Sequence, residues 1–177
     1  MPHALEEKYD LTAQELLDAI DRRLRLKVAL EGAVAEVHFE RKLKVASSEG
    51  WLCSYESHDQ DGMHDFTFTT LAETELRVEV KTIRNSASPQ VETQKTRAAK
   101  GDPSSRYYDH DHFDAVAVCI GRRTDDWTQF RYALTRDLER HKAYPGKLKV
   151  MHPIPIESPE GGVWFARLQD LINHYES

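Results

Sequence analysis

The sequence has few cysteines and no long apolar stretch. Only Cys53 and Cys119 occur in 177 residues, which excludes a disulfide framework and predicts a reducing, cytoplasmic setting. No segment approaches the roughly 20 consecutive apolar residues that a membrane-spanning helix needs. The opening residues, MPHALEEKYD, are acidic and have no apolar centre, so they are unlike a secretory signal. These shortages exclude disulfide-rich and membrane-spanning classes of protein.

The chain is also short of positive charge. Lysine and arginine total 24 against 30 acidic residues, a net charge of -6, so attraction of the whole molecule to nucleic acid is not expected. The segment 81–106 departs from this balance, with six basic residues and two acidic ones. A basic segment on an acidic body is a candidate surface for phosphate contacts. An ordinary solvated loop is the alternative interpretation of the same charges.

The pattern of apolar residues predicts an α/β protein. A 40% hydrophobic and 31% charged composition is typical of one globular domain, here 1–177. Helical periodicity follows a capping-box spacing at Thr12 and Glu15 and fades near residue 45, as two helices or one bent helix. Further elements are strands at 51–55, 64–69, 76–82, 114–120 and 129–133, short helices at 92–99 and 135–141, and a helix at 165–175.

This order of elements indicates a mixed central β-sheet flanked by helices. We divide the domain into an N-terminal helix at 1–28, a central core at 30–120 and a C-terminal extension of that core at 121–177. The nearly continuous apolar segment DAVAVCI at 114–120 is typical of a buried central strand.

The strand at 76–82 carries the residues most indicative of chemistry. Residues two apart share a face of a strand, so Glu79 and Lys81 point the same way. If the strands at 64–69 and 76–82 form a hairpin, Asp65 lies roughly opposite Glu79, with Cβ atoms about 5 Å apart. Two carboxylates this close repel each other unless a cation or Lys81 compensates. A carboxylate pair that binds a divalent cation, beside an ammonium group, suits phosphodiester hydrolysis.

A third acid comes from the preceding helical segment. Gly32 and Glu36 are four residues apart and therefore share a helical face. The ordered set of Gly32-x-x-x-Glu36, Gly50-Trp51, Asp65 and Glu79-Val80-Lys81 resembles the PD-(D/E)XK nuclease superfamily. The likeness covers roughly residues 30–120 and includes the entry from Phe113 into the apolar strand.

The resemblance implies a restriction-endonuclease-like fold and a Mg²⁺-dependent hydrolysis of DNA, with Mn²⁺ as a substitute. Asp65 and Glu79 would be metal ligands together with the backbone carbonyl of Val80. Lys81 would serve the attacking water, and Glu36 would be an accessory acid for a second ion. Since enzymes that cut both strands often use two copies of one site, we also expect a homodimer.

Two features depart from the pattern of this superfamily. His64 stands where the family name has a proline before the aspartate. Gln94 lies where some members carry a glutamine, but no tyrosine follows four residues later. The basic segment is expected to contact phosphates beside the scissile bond through Lys95, Arg97, Lys100 and Arg106. Tyr107 and Tyr108 would either pack or stack on a base.

Other interpretations stay open. The tract Asp109-His110-Asp111-His112 and a looser set at His58, Asp59, Asp61 and His64 contain metal-ligating residue types, but polar loops have the same composition. The charges on 76–82 are also those of a salt-bridged surface strand. A DNA-binding or assembly module without catalysis, and a metal-dependent ribonuclease, are the functional alternatives.

Overall fold

The computed structural model describes residues 2–60, 62–95, 98–157, 159 and 162–177. By contacts between residues the chain divides into two compact units, Met1–Val34 and Ala35–Ser177. The division falls within a long helix, and the single domain expected from the sequence remains a prediction. No helix of the described chain has the length and apolar character needed to cross a membrane.

The first unit is helical. Helices α1 (Ala4–Tyr9) and α2 (Ala13–Asp21) both begin with capping boxes, and the predicted box of Thr12 with Glu15 opens α2. Helix α3 (Leu24–Ser48) starts in this unit and continues into the second. The long helical pattern is therefore two helices, separated after Asp21. Neither α1 nor α2 buries a residue.

The second unit is built on a five-stranded sheet. Its strands are β1 (Leu52–Ser57), β2 (Phe66–Thr70), β3 (Glu75–Thr82), β5 (Ala115–Cys119) and β6 (Phe130–Leu134), in the order β1-β2-β3-β5-β6. The β3–β5 pair is parallel and the other three pairs are antiparallel. With helices on the sheet, the predicted α/β class with a mixed sheet is confirmed.

Alternation along β3 separates two cores. Leu76, Val78 and Val80 point into a cluster with α3, which contributes Phe39 and Leu43, and with helix α5 (Leu168–Glu176). On the opposite face a second cluster contains Ile83, Val91, Tyr108, Phe113, Val116, Val118 and Leu148. Glu79 and Lys81 alternate with the apolar residues of β3. They leave the strand on the face that holds the second cluster.

Neither expected short helix forms among the described residues of its segment. Strand β4 (Gln90–Glu92), with Val91 buried, pairs with β7 (Met151–Pro153), and Gln94 and Ala99 then form isolated β-bridges with Tyr107 and Asp102. The segment from Thr135 makes only a 3-10 turn to Asp137, and the chain then extends to pair Arg140 with Leu148. A short helix α4 (Gly121–Thr124) follows β5 and was not expected.

The two cysteines are both free but differ in environment. Cys119 is buried in β5, whereas Cys53 is exposed on β1. Burial raises the pKa of the Cys119 thiol. A thiolate nucleophile is therefore disfavoured at Cys119.

Candidate active site

The β2–β3 hairpin brings Asp65 next to Glu79. Phe66 is paired with Val78, and the Asp65 N–H donates to the Val78 carbonyl at 3.1 Å, so the next position across the hairpin is Glu79. The backbone N–H of Val80 donates to Asp65 Oδ2 at 2.7 Å. This bond holds the aspartate side chain against β3. The hairpin geometry expected from the sequence is therefore present, while the catalytic roles stay predictions.

Glu79 is a buried carboxylate with only one satisfied oxygen. The residue is 3% exposed. Its Oε1 accepts a hydrogen bond from the Tyr108 hydroxyl at 2.6 Å and another from Lys81 Nζ. Its Oε2 is buried and has no hydrogen-bond partner among the described residues. Because an unpaired buried carboxylate oxygen is costly, this atom fits a cation ligand.

The raised pKa of Asp65 also favours a cation at this site. Burial, and then the neighbouring Glu79, raise the pKa of Asp65 to about 7, although Lys81 and the Val80 N–H act to lower it. A carboxyl group held this far above its ordinary pKa is destabilised in its charged form. A divalent cation at this position would remove that cost.

Lys81 remains charged despite its surroundings. Its side chain is 25% exposed, and burial alone would lower its pKa. The negative charge of Glu79 outweighs this effect, so the pKa of Lys81 is raised above its ordinary value. The ammonium group is therefore a permanent hydrogen-bond donor and positive charge at the site.

Glu36, on α3, is electrostatically coupled to the same group of residues. The loss of water around its carboxyl raises its pKa, Lys81 lowers it, and Glu79 raises it further. As a residue Glu36 is solvent-exposed. An exposed acid coupled to Lys81 and Glu79 is suited to an accessory role, and that role is still a prediction.

A cleft of about 690 Å³ opens over Glu79 and Lys81. Its other polar lining residues are Gln60, Lys95, Ser105, Tyr108 and His112. Of the four basic residues expected to contact phosphates, the structure brings Lys95 to the cleft, with Nζ 5.9 Å from the centre of the Tyr108 ring. Lys100 and Arg106 are exposed and do not line the cleft, and Arg97 lies outside the described residues.

Tyr108 and His112 also line the cleft, although the sequence did not predict them beside Glu79 and Lys81. Tyr108 is 7% exposed and holds Glu79, which resolves the choice between packing and stacking in favour of packing. His112 has a buried Nε2 atom with no partner in the described chain, and burial lowers its pKa. Tyr107 instead stacks on His141, with ring centres 4.5 Å apart. No spacing rule in the sequence points from 79 to 108 or 112.

An ion pair between Arg77 and Asp114 holds the start of β5 beside β3. Arg77 Nε donates to Asp114 Oδ2 and Nη2 to Oδ1, both at 3.0 Å, and the Arg77 N–H donates to Oδ2 at 2.8 Å. The Asp114 N–H donates in return to the Arg77 carbonyl at 2.8 Å. These bonds hold the end of segment 83–114 beside β3.

In the described part of the chain, the residues of the rival metal clusters are not arranged around a common metal site. His58 and His64 both bond to the Thr67 hydroxyl, at 2.9 and 2.7 Å, and Asp109 pairs with Lys147. Asp61 lies outside the described residues. Among the residues that are described, no group of three or more His, Cys, Asp or Glu side chains is arranged to hold a metal. A metal at Asp65 and Glu79 would therefore need backbone and water oxygens to complete its coordination.

Comparisons with known proteins give one informative likeness. No protein-family model and no curated protein matches this chain. Among solved structures, a bacterial homing endonuclease, I-Ssp6803I, is similar with a TM-score of 0.52 and 15% sequence identity. The match covers 84% of this chain and 96% of the endonuclease. At this identity the likeness establishes the fold, and this chain therefore has a fold similar to that of a homing endonuclease.

Proposed function

We propose that this chain is a metal-dependent endonuclease that hydrolyses DNA phosphodiester bonds. The observation that carries the proposal is the buried, unpartnered Oε2 of Glu79 next to the destabilised carboxyl of Asp65. The fold shared with a homing endonuclease supports a nuclease with DNA as its substrate. The arrangement also supports assignment to the PD-(D/E)XK superfamily, which rests on Asp65, Glu79 and Lys81 together.

The residues of the site fit a Mg²⁺ ion. Asp65 and Glu79 would supply carboxylate oxygens and Val80 its carbonyl, with Glu36 available to a second ion and Mn²⁺ able to substitute. A bound ion of this kind polarises a phosphate and lowers the pKa of a coordinated water. Hard oxygen ligands of this kind are those that Mg²⁺ prefers.

The protein's own groups supply orientation and charge. Lys81 donates a hydrogen bond to the attacking water or to the phosphate oxygen on which charge develops. Tyr108 holds Glu79 Oε1, which leaves the unpartnered Oε2 available to the ion. Lys95 binds a substrate phosphate at the rim of the cleft, and the exposed Lys100 and Arg106 continue that contact outward. Two copies of the chain would then cut the two strands of a duplex.

Incubation of supercoiled plasmid with the purified protein tests the proposal. We expect nicked or linear product in Mg²⁺ or Mn²⁺ and none in EDTA. Lys81→Ala is expected to lower the rate about 100-fold or more, because a charged donor at the reacting centre is lost. Lys44→Ala, an exposed lysine of α3 outside the cleft, is the matched control and should cleave at the wild-type rate.

Cleavage that survives Lys81→Ala would contradict this site. Matched DNA and RNA oligonucleotides distinguish a deoxyribonuclease from a metal-dependent ribonuclease, since only RNA carries the 2′-hydroxyl. Binding of DNA without cleavage in any metal would instead identify a non-catalytic DNA-binding module of the same fold.

A further inference from the structure

A second groove of about 750 Å³ lies on the opposite flank of α3 from Glu36. At 100° per residue, His38, Lys42 and Val45 fall on one side of the buried Phe39, and Glu36 falls on the other. The groove is completed by Trp51 and Tyr132, and by residues 166–169 around the start of α5. It shares no lining residue with the catalytic cleft.

The lining of this groove is positively charged. Arg41, Lys42 and Arg167 line it against a single acid, Glu49, whose carboxylate accepts a hydrogen bond from the Trp51 indole N–H at 3.2 Å. Neither the Arg41 nor the Arg167 guanidinium group makes an ion pair or hydrogen bond with a residue that the structure describes. Unpaired cations gathered on a protein of net charge -6 favour an anionic ligand.

Two further features of the groove are suited to a ligand. Helix α5 has nine residues, and its N-cap residue, Arg167, provides no side-chain hydrogen bond to the first turn, so N–H groups at the positive end of the helix are available. Tyr132 lines the groove and is only 3% exposed, yet its hydroxyl has no hydrogen-bond partner among the described residues. Because the hydroxyl is not among the fully buried unpartnered atoms, it is open to the groove and available to a polar group of a ligand.

We propose that this groove binds a nucleoside monophosphate, either free or as an unpaired nucleotide of a single strand. The phosphate would contact Arg41, Arg167 and the N-terminal turn of α5, since helix N-termini and guanidinium groups both bind phosphate oxygens. The ring would lie against Trp51 and Leu168, with the Tyr132 hydroxyl bonded to its polar edge. The volume of the groove is that of a small-molecule site.

Calorimetric titration of the whole protein with thymidine 5′-monophosphate in EDTA tests this inference. We expect saturable binding that thymidine, without the phosphate, does not show, and that inorganic phosphate shows more weakly. Removing both guanidinium groups with Arg41→Gln and Arg167→Gln should weaken binding about tenfold or more, because charge-assisted hydrogen bonds are lost. Both residues are exposed, so this variant should fold. Tyr132→Phe should also weaken binding.

Lys81→Ala is the control, because it alters the catalytic cleft and leaves the groove intact. Nucleotide binding that is lost in Lys81→Ala but kept in the arginine variant would place the ligand in the catalytic cleft and overturn the inference. The inference would also be overturned if thymidine bound as tightly as thymidine 5′-monophosphate. The same holds if neither thymidine 5′-monophosphate nor a 5′-phosphorylated single-stranded oligonucleotide bound at about 1 mM. The 5′-phosphorylated oligonucleotide distinguishes a free nucleotide from a nucleotide of a single strand as the ligand. It competes with thymidine 5′-monophosphate only if the groove accepts a nucleotide within a strand. The titration needs no metal and no cleavage, so its failure would not affect the proposed nuclease.

Discussion

Glu79 shares one of its oxygens between two neighbours, and the Tyr108 hydroxyl is one of them. We expect Tyr108→Phe to keep the ring packed against Phe113 but to release Glu79 Oε1, so that the carboxylate is no longer held in one orientation. Loss of such a supporting bond typically costs about 10–100-fold in metal affinity or activity. Titration with Mn²⁺ and the rate of plasmid cleavage measure the two effects. An unchanged Mn²⁺ affinity would show that Lys81 alone positions Glu79.

Asp65 is the residue whose removal should stabilise the metal-free protein. Its pKa is raised to about 7 from an ordinary value of 3.8, so its charged form costs stability above pH 7, and this cost is released as the pH falls. Asp65→Asn should therefore raise the free energy of unfolding in EDTA at pH 8 by about 1–4 kcal/mol. At pH 5 the gain should be less than about half as large. Urea unfolding at the two pH values measures it.

Stability in the presence of metal is expected to respond in the opposite way to the stability measured in EDTA. Mg²⁺ or Mn²⁺ should raise the melting temperature of the wild-type protein through linkage and should have little effect on Asp65→Asn. A variant that is less stable than the wild type at pH 8 in EDTA would contradict the assigned cause of the pKa shift.

Helices α3 and α4 each contain one glycine, and the two glycines differ in the space around them. A Cβ atom at Gly121 would lie 2.8 Å from Trp127 Cδ2 and 2.9 Å from the Trp127 Cα. Gly121→Ala should therefore destabilise the protein by about 1–3 kcal/mol, because the backbone of Trp127 must move. Gly32→Ala is the matched variant. A Cβ there meets no described atom within 4 Å, and alanine should stabilise α3 by about 0.5–1 kcal/mol.

Urea unfolding measures the free energy of unfolding of both alanine variants. It should show a decrease for Gly121→Ala and an increase for Gly32→Ala. Equal effects at the two positions would show that helix propensity, and not the contact with Trp127, decides the cost at Gly121.

The sequence predicted those elements whose pattern of apolar and polar residues is visible within a few consecutive positions. The β2–β3 hairpin follows from alternation over a few residues, and this alone places Asp65 opposite Glu79. The segment 83–114 has no such period, and its conformation depends on distant partners. Val91 pairs with His152, and the Tyr108 hydroxyl donates to Glu79, 29 residues away in the sequence. For this reason the helix predicted at 92–99 does not form among the residues described there, and the contact of Tyr108 with Glu79 could not be inferred.

The net charge of -6 should limit DNA binding by this protein to contacts with a few phosphate groups. With Lys81 and Lys95 in the cleft and Lys100 and Arg106 exposed beyond it, we expect three or four phosphate contacts. The logarithm of the binding constant should then fall with the logarithm of salt concentration with a slope of about -3 to -4. Fluorescence anisotropy with a labelled duplex in EDTA, where cleavage is absent, measures the slope.

Single substitutions assign that slope to residues. Lys95→Gln should make the slope shallower by about 1, whereas Lys44→Gln should leave it unchanged. A slope that does not respond to Lys95→Gln would remove the cleft from the DNA-binding surface.

The parallel pairing of β3 with β5 has a consequence for the order in which this protein becomes functional. A parallel pair needs a long crossover, so β3 cannot be paired on that side until residues 115–119 have been synthesised. The β2–β3 hairpin can form earlier, but it then brings two carboxylates together before Tyr108 and the Arg77–Asp114 ion pair are in place. The surroundings of Asp65 and Glu79 are therefore completed late, and a chain that has not yet been synthesised to β5 lacks the contacts that hold the candidate site together.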